Sequence, residues 1–148
     1  MKISTKGRYG LRILLDLALH QSEKPRLIRD IAESQQISEK YISRLVISLR
    51  KAGMIRSIRG VNGGFHLARL PEEITLLEIL ETMEGPISVV DCVSAPQGCS
   101  HSPNCAPREI WCKLNDDIRG LMRGTTLAEI LESYKRQNAR NGLFDYCI

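Results

Sequence analysis

Residues 38–53 read SEKYISRLVISLRKAG and are the most diagnostic segment of the chain for its architecture. Its apolar side chains recur at helical spacing and predict a helix from about Glu39 to Ala52. Ser38 suits the N-cap of that helix, and Gly53 offers the left-handed conformation that ends it. One face of the helix is apolar and formed by Ile42, Leu45, Val46 and Leu49. The other face is polar and basic, which is typical of a helix that enters the major groove of DNA.

The neighbouring segments complete a winged helix-turn-helix. A short helix is predicted over residues 27–34, with a tight turn before Ser38. After Gly53, strand-forming runs at 54–59 and 65–68 flank a glycine-rich loop at 60–64, which predicts a two-stranded wing. An arginine beside a slim glycine loop can enter the minor groove. The expected DNA contacts are Ser38, Lys40, Tyr41, Ser43 and Arg44 in the major groove and Arg59 and Gly60 on the wing.

The charge of the chain is distributed unevenly. Residues 1–70 carry 14 Lys and Arg against five Asp and Glu, a net charge of +9, whereas residues 71–148 have a net charge of −5. A basic half of this size favours double-stranded DNA as the partner. No apolar run approaches the ~20 residues that cross a bilayer, and no nucleophile–base pair is visible. We therefore expect a cytoplasmic protein that is neither an enzyme nor a membrane protein and has no small-molecule substrate.

The whole chain is predicted to be mainly α and to contain five segments. These are a winged helix-turn-helix DNA-binding domain (1–70), a connecting helix (71–90), a cysteine loop (91–107), a long C-terminal dimerisation helix (108–124), and a C-terminal helix and tail (125–148) that is polar from Gln137. The long helix carries an apolar stripe that needs another surface to cover it. The stripe consists of Ile110, Leu114, Ile118 and Leu121, with Trp111 and Met122 beside it. Because DNA half-sites pair with protein dimers, a homodimer is the expected cover. The alternative is packing onto the first helix of the same subunit.

Three cysteines, Cys92, Cys99 and Cys105, lie in the predicted loop, and Cys112 follows. The prolines and glycines between them predict no regular structure. Thiolates so close together in a segment that cannot form a core indicate a metal site or a redox couple. A zinc site on all four cysteines would lack the usual CxxC pair, and a thiol–disulfide switch would need a reactive thiolate. Neither interpretation gives a role to Cys147, and His20 and His66 are expected to be ordinary surface or core residues.

Several motifs carry a resemblance to a known family. They are MKISTKGRYGL at 1–11, SEKYIS at 38–43, LRKAG at 49–53, Arg59-Gly60 with Gly63-Gly64, and TTL at 125–127. In this combination the chain resembles the Rrf2 family of winged-helix transcription regulators, and most of all its iron–sulfur members. The resemblance implies a homodimer on promoter DNA and an iron–sulfur cluster held by Cys92, Cys99 and Cys105, with 2Fe-2S favoured over 4Fe-4S. Members that regulate cysteine metabolism lack these loop cysteines.

The chain departs from the cluster-bearing members at the fourth ligand. They often have a histidine three residues after the last loop cysteine, where this chain has Arg108. A guanidinium stays protonated and has no lone pair to donate, so Arg108 is excluded as a ligand. The fourth ligand is left open among His101, Cys112 and Glu109. An iron–sulfur scaffold or a thiol enzyme is the alternative of a different class, but neither would need a helix-turn-helix.

Overall fold

A computed structural model describes residues 1–22 and 24–140. Within these residues the chain forms seven α-helices and one antiparallel two-stranded sheet. The helices are α1 (Thr5–Leu19), α2 (Ile28–Gln35), α3 (Glu39–Lys51), α4 (Leu76–Glu84), α5 (Asp91–Ser94), α6 (Ala106–Gly124) and α7 (Leu127–Arg140), and the strands are β1 (Ile55–Ile58) and β2 (Gly64–Leu67). The predicted fold, mainly α with a helix-turn-helix and a two-stranded wing, is confirmed.

The ends of α3 follow the local chemistry of the sequence. The Ser38 hydroxyl accepts the main-chain N–H of Tyr41 at 3.3 Å, which satisfies one of the free donors at the helix start. Gly53 has φ +71°, a conformation that a residue with a side chain adopts only at a cost. These two residues therefore fix the length of the helix that follows the turn.

The wing is held to the body by a segment that the sequence pattern did not reveal. The main chains of Arg26 and Phe65 exchange two hydrogen bonds, of 3.0 and 2.8 Å, so residue 26 pairs with β2. Gly64 makes this possible, because a Cβ there would lie 2.6 Å from the carbonyl oxygen of Arg26. A single paired residue has no periodicity from which it could be predicted.

One hydrophobic core joins the first half of the chain to later helices. It contains buried residues of α1, α2 and α3 and both strands, together with Ile74, Ile79, Met83 and Leu127. Helix α1 lies so close to α4 that a Cβ on Gly10 would be 2.7 Å from Cγ of Met83. The first half of the chain therefore shares its core with α4 and α7.

Asp16 is a buried carboxylate at the centre of a polar network in this half. It is 1% exposed, and Arg26 Nε lies 3.0 Å from its Oδ1. Gln35 Nε2 donates to Oδ2 at 3.1 Å, and the Ser34 hydroxyl donates to the same oxygen. A buried charge persists only when it is paired and hydrogen-bonded, so this network ties α1, α2 and the Arg26 bridge together.

Two predictions about the second half are wrong. The cysteine loop is not irregular throughout, because it contains α5 and short 3₁₀ turns at Pro96–Gly98 and Ser102–Asn104. Proline is compatible with the first position of a helical turn, where its missing N–H is not needed. Helix α7 continues past Gln137 to Arg140, where a tail was expected. Cys147 lies outside the described residues.

Candidate functional site

The outer face of α3 presents basic side chains to solvent. Lys40 and Arg44 are exposed and lie one helical turn apart, while the opposite stripe is buried in the core. Ser43 is half-buried, and its hydroxyl donates to the carbonyl of Glu39 at 2.7 Å. Ser38 is exposed although its hydroxyl caps the helix. Among the predicted contacts in α3, Lys40 and Arg44 are therefore the ones with exposed side chains.

The predicted contact set omits two further residues on the same face. Ile47, 47% exposed, and the exposed Lys51 continue the line of Lys40 and Arg44 along the helix. The signal available in the sequence was the spacing of three or four residues between neighbouring members of this line, which places them on one helix face. An exposed apolar side chain in a major groove can contact the methyl group of thymine.

Tyr41 has a packing partner within the protein. It is half-buried, and its ring meets that of Tyr9 edge-to-face with centroids 5.8 Å apart. The Arg12 guanidinium carbon lies 5.5 Å from the centroid of the Tyr9 ring. This aromatic contact supports α3 against α1.

The wing carries exposed arginines on and next to β1. Arg56 and Arg59 are both exposed, and Gly60 follows with φ +108°. The main-chain N–H of Gly63 donates to the carbonyl of Gly60 at 3.0 Å, which closes the turn. Val61 at the tip is fully exposed. The wing and the outer face of α3 together form a basic surface, and Arg56 is a member that the predicted set omitted.

The cysteine loop places its thiols on three different pieces of backbone. Cys92 lies in α5, Cys99 follows the first 3₁₀ turn, and Cys105 is the residue just before the first residue of α6. All three are free and half-buried, as is Cys112. Within residues 1–22 and 24–140, no three His, Cys, Asp or Glu side chains are grouped closely enough to hold a metal ion. The donor chemistry suits a soft metal or cluster, but the structure does not gather the thiols into one coordination sphere.

The candidates for a fourth ligand lie at different places around the loop. His101 is exposed beside the second 3₁₀ turn, and Glu109 is exposed in the first turn of α6. Cys112 lies two helical turns beyond Cys105 on the same helix. The structure does not bring one of them together with all three loop cysteines.

Helix α6 holds the segment that leads into Cys92, which we call the connector (residues 85–92). Arg119 Nη1 donates to the carbonyl of Ile87 at 2.9 Å and to Glu81 Oε1 at 2.5 Å. Asn115, which is buried, accepts the main-chain N–H of Val89 at 3.2 Å. Arg108 Nε donates to the carbonyl of Cys92 at 3.2 Å. The connector is therefore attached to α6 at three points along its length.

Part of the apolar stripe of α6 is covered within the subunit and part is not. Met122 and Ile118 pack against Leu77 and Leu80 of α4, so the cover is α4 and not the first helix. The remaining apolar side chains are exposed to different degrees: Ile110 62%, Trp111 39%, Leu114 40% and Leu121 72%. No helix in the described part of the chain is long and apolar enough to cross a membrane.

Comparison with known proteins places this geometry in a family of regulators. The Rrf2 family model, described as an iron-dependent transcriptional regulator, matches residues 3–133. The chain is 42% identical to the HTH-type transcriptional regulator CymR of Bacillus subtilis, over 90% of this chain and 91% of that protein. It is 34% identical to the HTH-type transcriptional regulator IscR of Aliivibrio salmonicida, over 88% of this chain and 77% of that protein.

A solved structure gives the same result for the fold. The structure of Bacillus subtilis CymR, described as the global cysteine regulator, superimposes with a TM-score of 0.79 at 38% identity, covering 90% of this chain and 98% of that one. These relatives are named as transcriptional regulators and not as enzymes. The family model covers most of the chain, and the winged helix-turn-helix agrees with it. The chain therefore belongs to the Rrf2 family of transcriptional regulators.

Proposed function

We propose that this regulator is a homodimer that binds promoter DNA through α3 and the wing and responds to a signal through its cysteine loop. The observation that carries the proposal is the connector. It runs from α4, which packs in the core of the DNA-binding half, to Cys92, and it is attached along its length to α6. A change at the cysteines is thereby linked to both the DNA-binding half and the exposed helix.

DNA binding follows from the basic surface defined above. Lys40 and Arg44 extend from α3 toward the major groove, and Arg59 extends from the wing toward the minor groove or the phosphates. Ser38, Tyr41, Ser43 and Gly60 complete the predicted contact set. The +9 charge of residues 1–70 supports strong, salt-dependent attraction to the duplex.

Dimerisation follows from the uncovered part of α6. Ile110, Leu114 and Leu121 lose contact with water if a second copy packs against them, and each fully buried side chain of this size contributes about 1.5–3 kcal/mol. A twofold pair of chains would place two copies of α3 on one side of the duplex. Their separation would then match one turn of DNA, about 34 Å.

The cysteine loop is proposed to hold an iron–sulfur cluster, 2Fe-2S in preference to 4Fe-4S, on Cys92, Cys99 and Cys105. Free, half-buried thiols on a short loop supply the soft donors that such clusters need. A bound cluster would make the ligation of the cysteine loop depend on iron supply and on redox state. The protein would thereby respond to iron–sulfur supply or to oxidative or nitrosative stress. Its fourth ligand is one of His101, Cys112 and Glu109. The residues of the loop would then hold α5 and the start of α6 in one arrangement.

Anaerobic purification followed by iron, sulfide and absorption measurements tests this proposal. The wild-type chain should be coloured and contain both iron and acid-labile sulfide, and Cys92→Ser, Cys99→Ser and Cys105→Ser should each lose them. Cys147→Ser is the matched control, because it makes the same chemical change outside the loop, and it should retain the cluster. A colourless wild-type protein that contains only zinc would contradict the cluster.

A second function is a cluster-free regulator of the cysteine-metabolism type, acting through zinc or thiol oxidation. The 42% identity to Bacillus subtilis CymR supports it. It predicts DNA affinity that changes on reversible thiol oxidation, or on removal of zinc, in protein without iron. The iron and sulfide measurements above separate the two functions directly.

A further inference from the structure

Ile47 lies at the centre of the outer face of α3. Successive residues of an α-helix are rotated by about 100°, so residues 44, 47 and 51 project within about 60° of one another. The buried residues of α3 are on the opposite side of the helix. Arg44 and Lys51 are both exposed, and Ile47 lies between them. The side chain of Ile47 therefore projects away from the core, from the middle of a row of cations.

An apolar residue is unexpected at this place. Ile47 is 47% exposed, and within residues 1–22 and 24–140 it belongs to neither of the two hydrophobic clusters. Its side chain carries no charge, so it adds nothing to the attraction between the basic surface and phosphates. Such a side chain gains free energy on binding only where the partner also presents an apolar group.

The major groove of DNA offers one such group on its base edges. Guanine, adenine and cytosine present hydrogen-bond donors and acceptors there, whereas thymine adds a methyl group at C5. The phosphates and the hydrogen-bonding edges suit the cations on either side of Ile47. The thymine methyl group is the part of the groove that suits the isoleucine itself.

The position of Ile47 along α3 fits the same partner. It lies three residues after Arg44, a rise of about 4.5 Å, which is close to the step of about 3.4 Å between stacked bases. Two side chains at this distance meet the same or neighbouring base pairs. When Arg44 reaches a base edge in the groove, Ile47 is therefore placed against that base pair or the next one.

We propose that Ile47 is a specificity-determining residue, which packs against the C5 methyl group of a thymine and so selects a T·A pair in each half-site. The inference rests on the proposed binding of DNA through α3 and names a base that this surface reads. It separates two roles on one helix face. Lys40 and Lys51 attract any duplex, whereas Ile47 distinguishes one sequence from another.

Deoxyuridine substitution in the bound DNA tests this inference. Selection from a library of random duplexes with the purified full-length chain first gives a bound sequence. Each thymine of one half-site is then replaced, one at a time, by deoxyuridine, which lacks only the methyl group. In fluorescence anisotropy the wild type should lose about fourfold in affinity at one of these positions, the loss expected when one methyl group is no longer buried.

Variants of Ile47 assign the lost contact to this residue. Ile47→Ala should bind the thymine and deoxyuridine duplexes with equal affinity, whereas Ile47→Val, which keeps a branched apolar side chain, should retain most of the discrimination. Leu70→Ala is the matched control, because it shortens an exposed apolar side chain outside the basic surface, and it should discriminate as the wild type does.

Two results would overturn the inference: a wild type that is insensitive to every deoxyuridine, or an equal loss in the wild type and in Ile47→Ala. The first result needs no variant, so it decides the question even if Ile47→Ala fails to fold. A library that yields no enriched sequence would overturn sequence-specific binding as a whole, and this inference with it. Failure of the inference and failure of the proposed function are thereby distinguished.

Discussion

Glu84, the last residue of α4, accepts the main-chain N–H of Gly7 in α1 at 2.9 Å through its Oε1. The same oxygen accepts the Ser4 hydroxyl at 2.6 Å and the Ser4 main-chain N–H at 3.1 Å. A carboxylate at this place satisfies free donors at the start of α1 and complements the helix dipole. Glu84 thus fastens the end of α4, where the connector begins, to the first helix of the DNA-binding half.

This arrangement predicts a pH-dependent contribution to stability. Partial burial raises the pKa of Glu84, but the hydrogen bonds from Ser4 and Gly7 outweigh it and leave the pKa below its ordinary value of 4.5. Because the pKa of Glu84 is lower in the folded state than in the unfolded state, its ionisation stabilises the fold at pH values above the ordinary pKa. This stabilisation is lost as the pH falls through the folded-state pKa. The wild type should therefore be more stable than Glu84→Gln at pH 7, and the difference should shrink below about pH 4.5.

Urea unfolding of both proteins across this pH range measures the difference. Glu72→Gln is the control, because Glu72 is an exposed carboxylate in the turn before α4. It should follow the wild type at every pH. A constant gap between wild type and Glu84→Gln would contradict the proposed role of the charge.

A second prediction concerns the close approach of α1 and α4. In Gly10→Ala the new Cβ would lie 2.7 Å from Met83 Cγ, and Met83 is buried. Forcing a methyl group into a packed core costs about 1–3 kcal/mol of unfolding free energy. Gly120→Ala is the matched control, because a Cβ at that helical position meets open space. It should gain about 0.5–1 kcal/mol, and a similar gain in Gly10→Ala would refute the close packing.

A third prediction concerns the buried Asp16–Arg26 pair. Asp16→Ala removes the acceptor of Arg26, Ser34 and Gln35 and should lower the unfolding free energy by about 3–5 kcal/mol. Arg26→Met should also destabilise, because it leaves the carboxylate unpaired. The double variant should cost clearly less than the sum of the two single variants, since neither charge is then left alone. Urea unfolding measures all three, and additive costs would show that the pair is not coupled.

A fourth prediction concerns the wing. Arg59→Ala should weaken promoter binding and reduce the salt slope by about 0.9, the loss of one phosphate contact. Arg136→Ala removes an exposed arginine of α7, which is not a member of the basic surface defined above, and should leave the slope unchanged. Fluorescence anisotropy at several salt concentrations measures both slopes. Equal slopes in Arg59→Ala and the wild type would remove Arg59 from the interface.

A fifth prediction concerns dimerisation. Leu121→Asp places a charge on the most exposed apolar residue of α6 and should convert the dimer to a monomer in sedimentation equilibrium. Val61→Asp makes the same change at a fully exposed apolar residue of the wing and should leave the dimer intact. A Leu121→Asp protein that remains dimeric would place the interface elsewhere.

Local patterns were sufficient for most of the elements. The cap Ser38, the terminating Gly53 and the buried stripe of α3 are determined by neighbours within four residues, and the structure agrees with each prediction. The cysteine loop was harder, because a high content of proline and glycine does not distinguish irregular chain from short 3₁₀ turns. The loop's ligand set remains a prediction, since which thiols approach one another depends on contacts between distant segments.

The periodic and chemical features of this protein could be read directly from its amino-acid order: the helix-turn-helix, the wing, the basic first half and the three-cysteine loop. Only the tertiary structure showed which partners these features have. The Asp16 network, the Arg26–Phe65 bridge, the Glu84 contact with Gly7 and the hold of Arg108 on Cys92 each join residues 10 to 77 positions apart. Such pairs leave no period in the sequence, because each is a single contact between distant residues that exists only after the helices have packed.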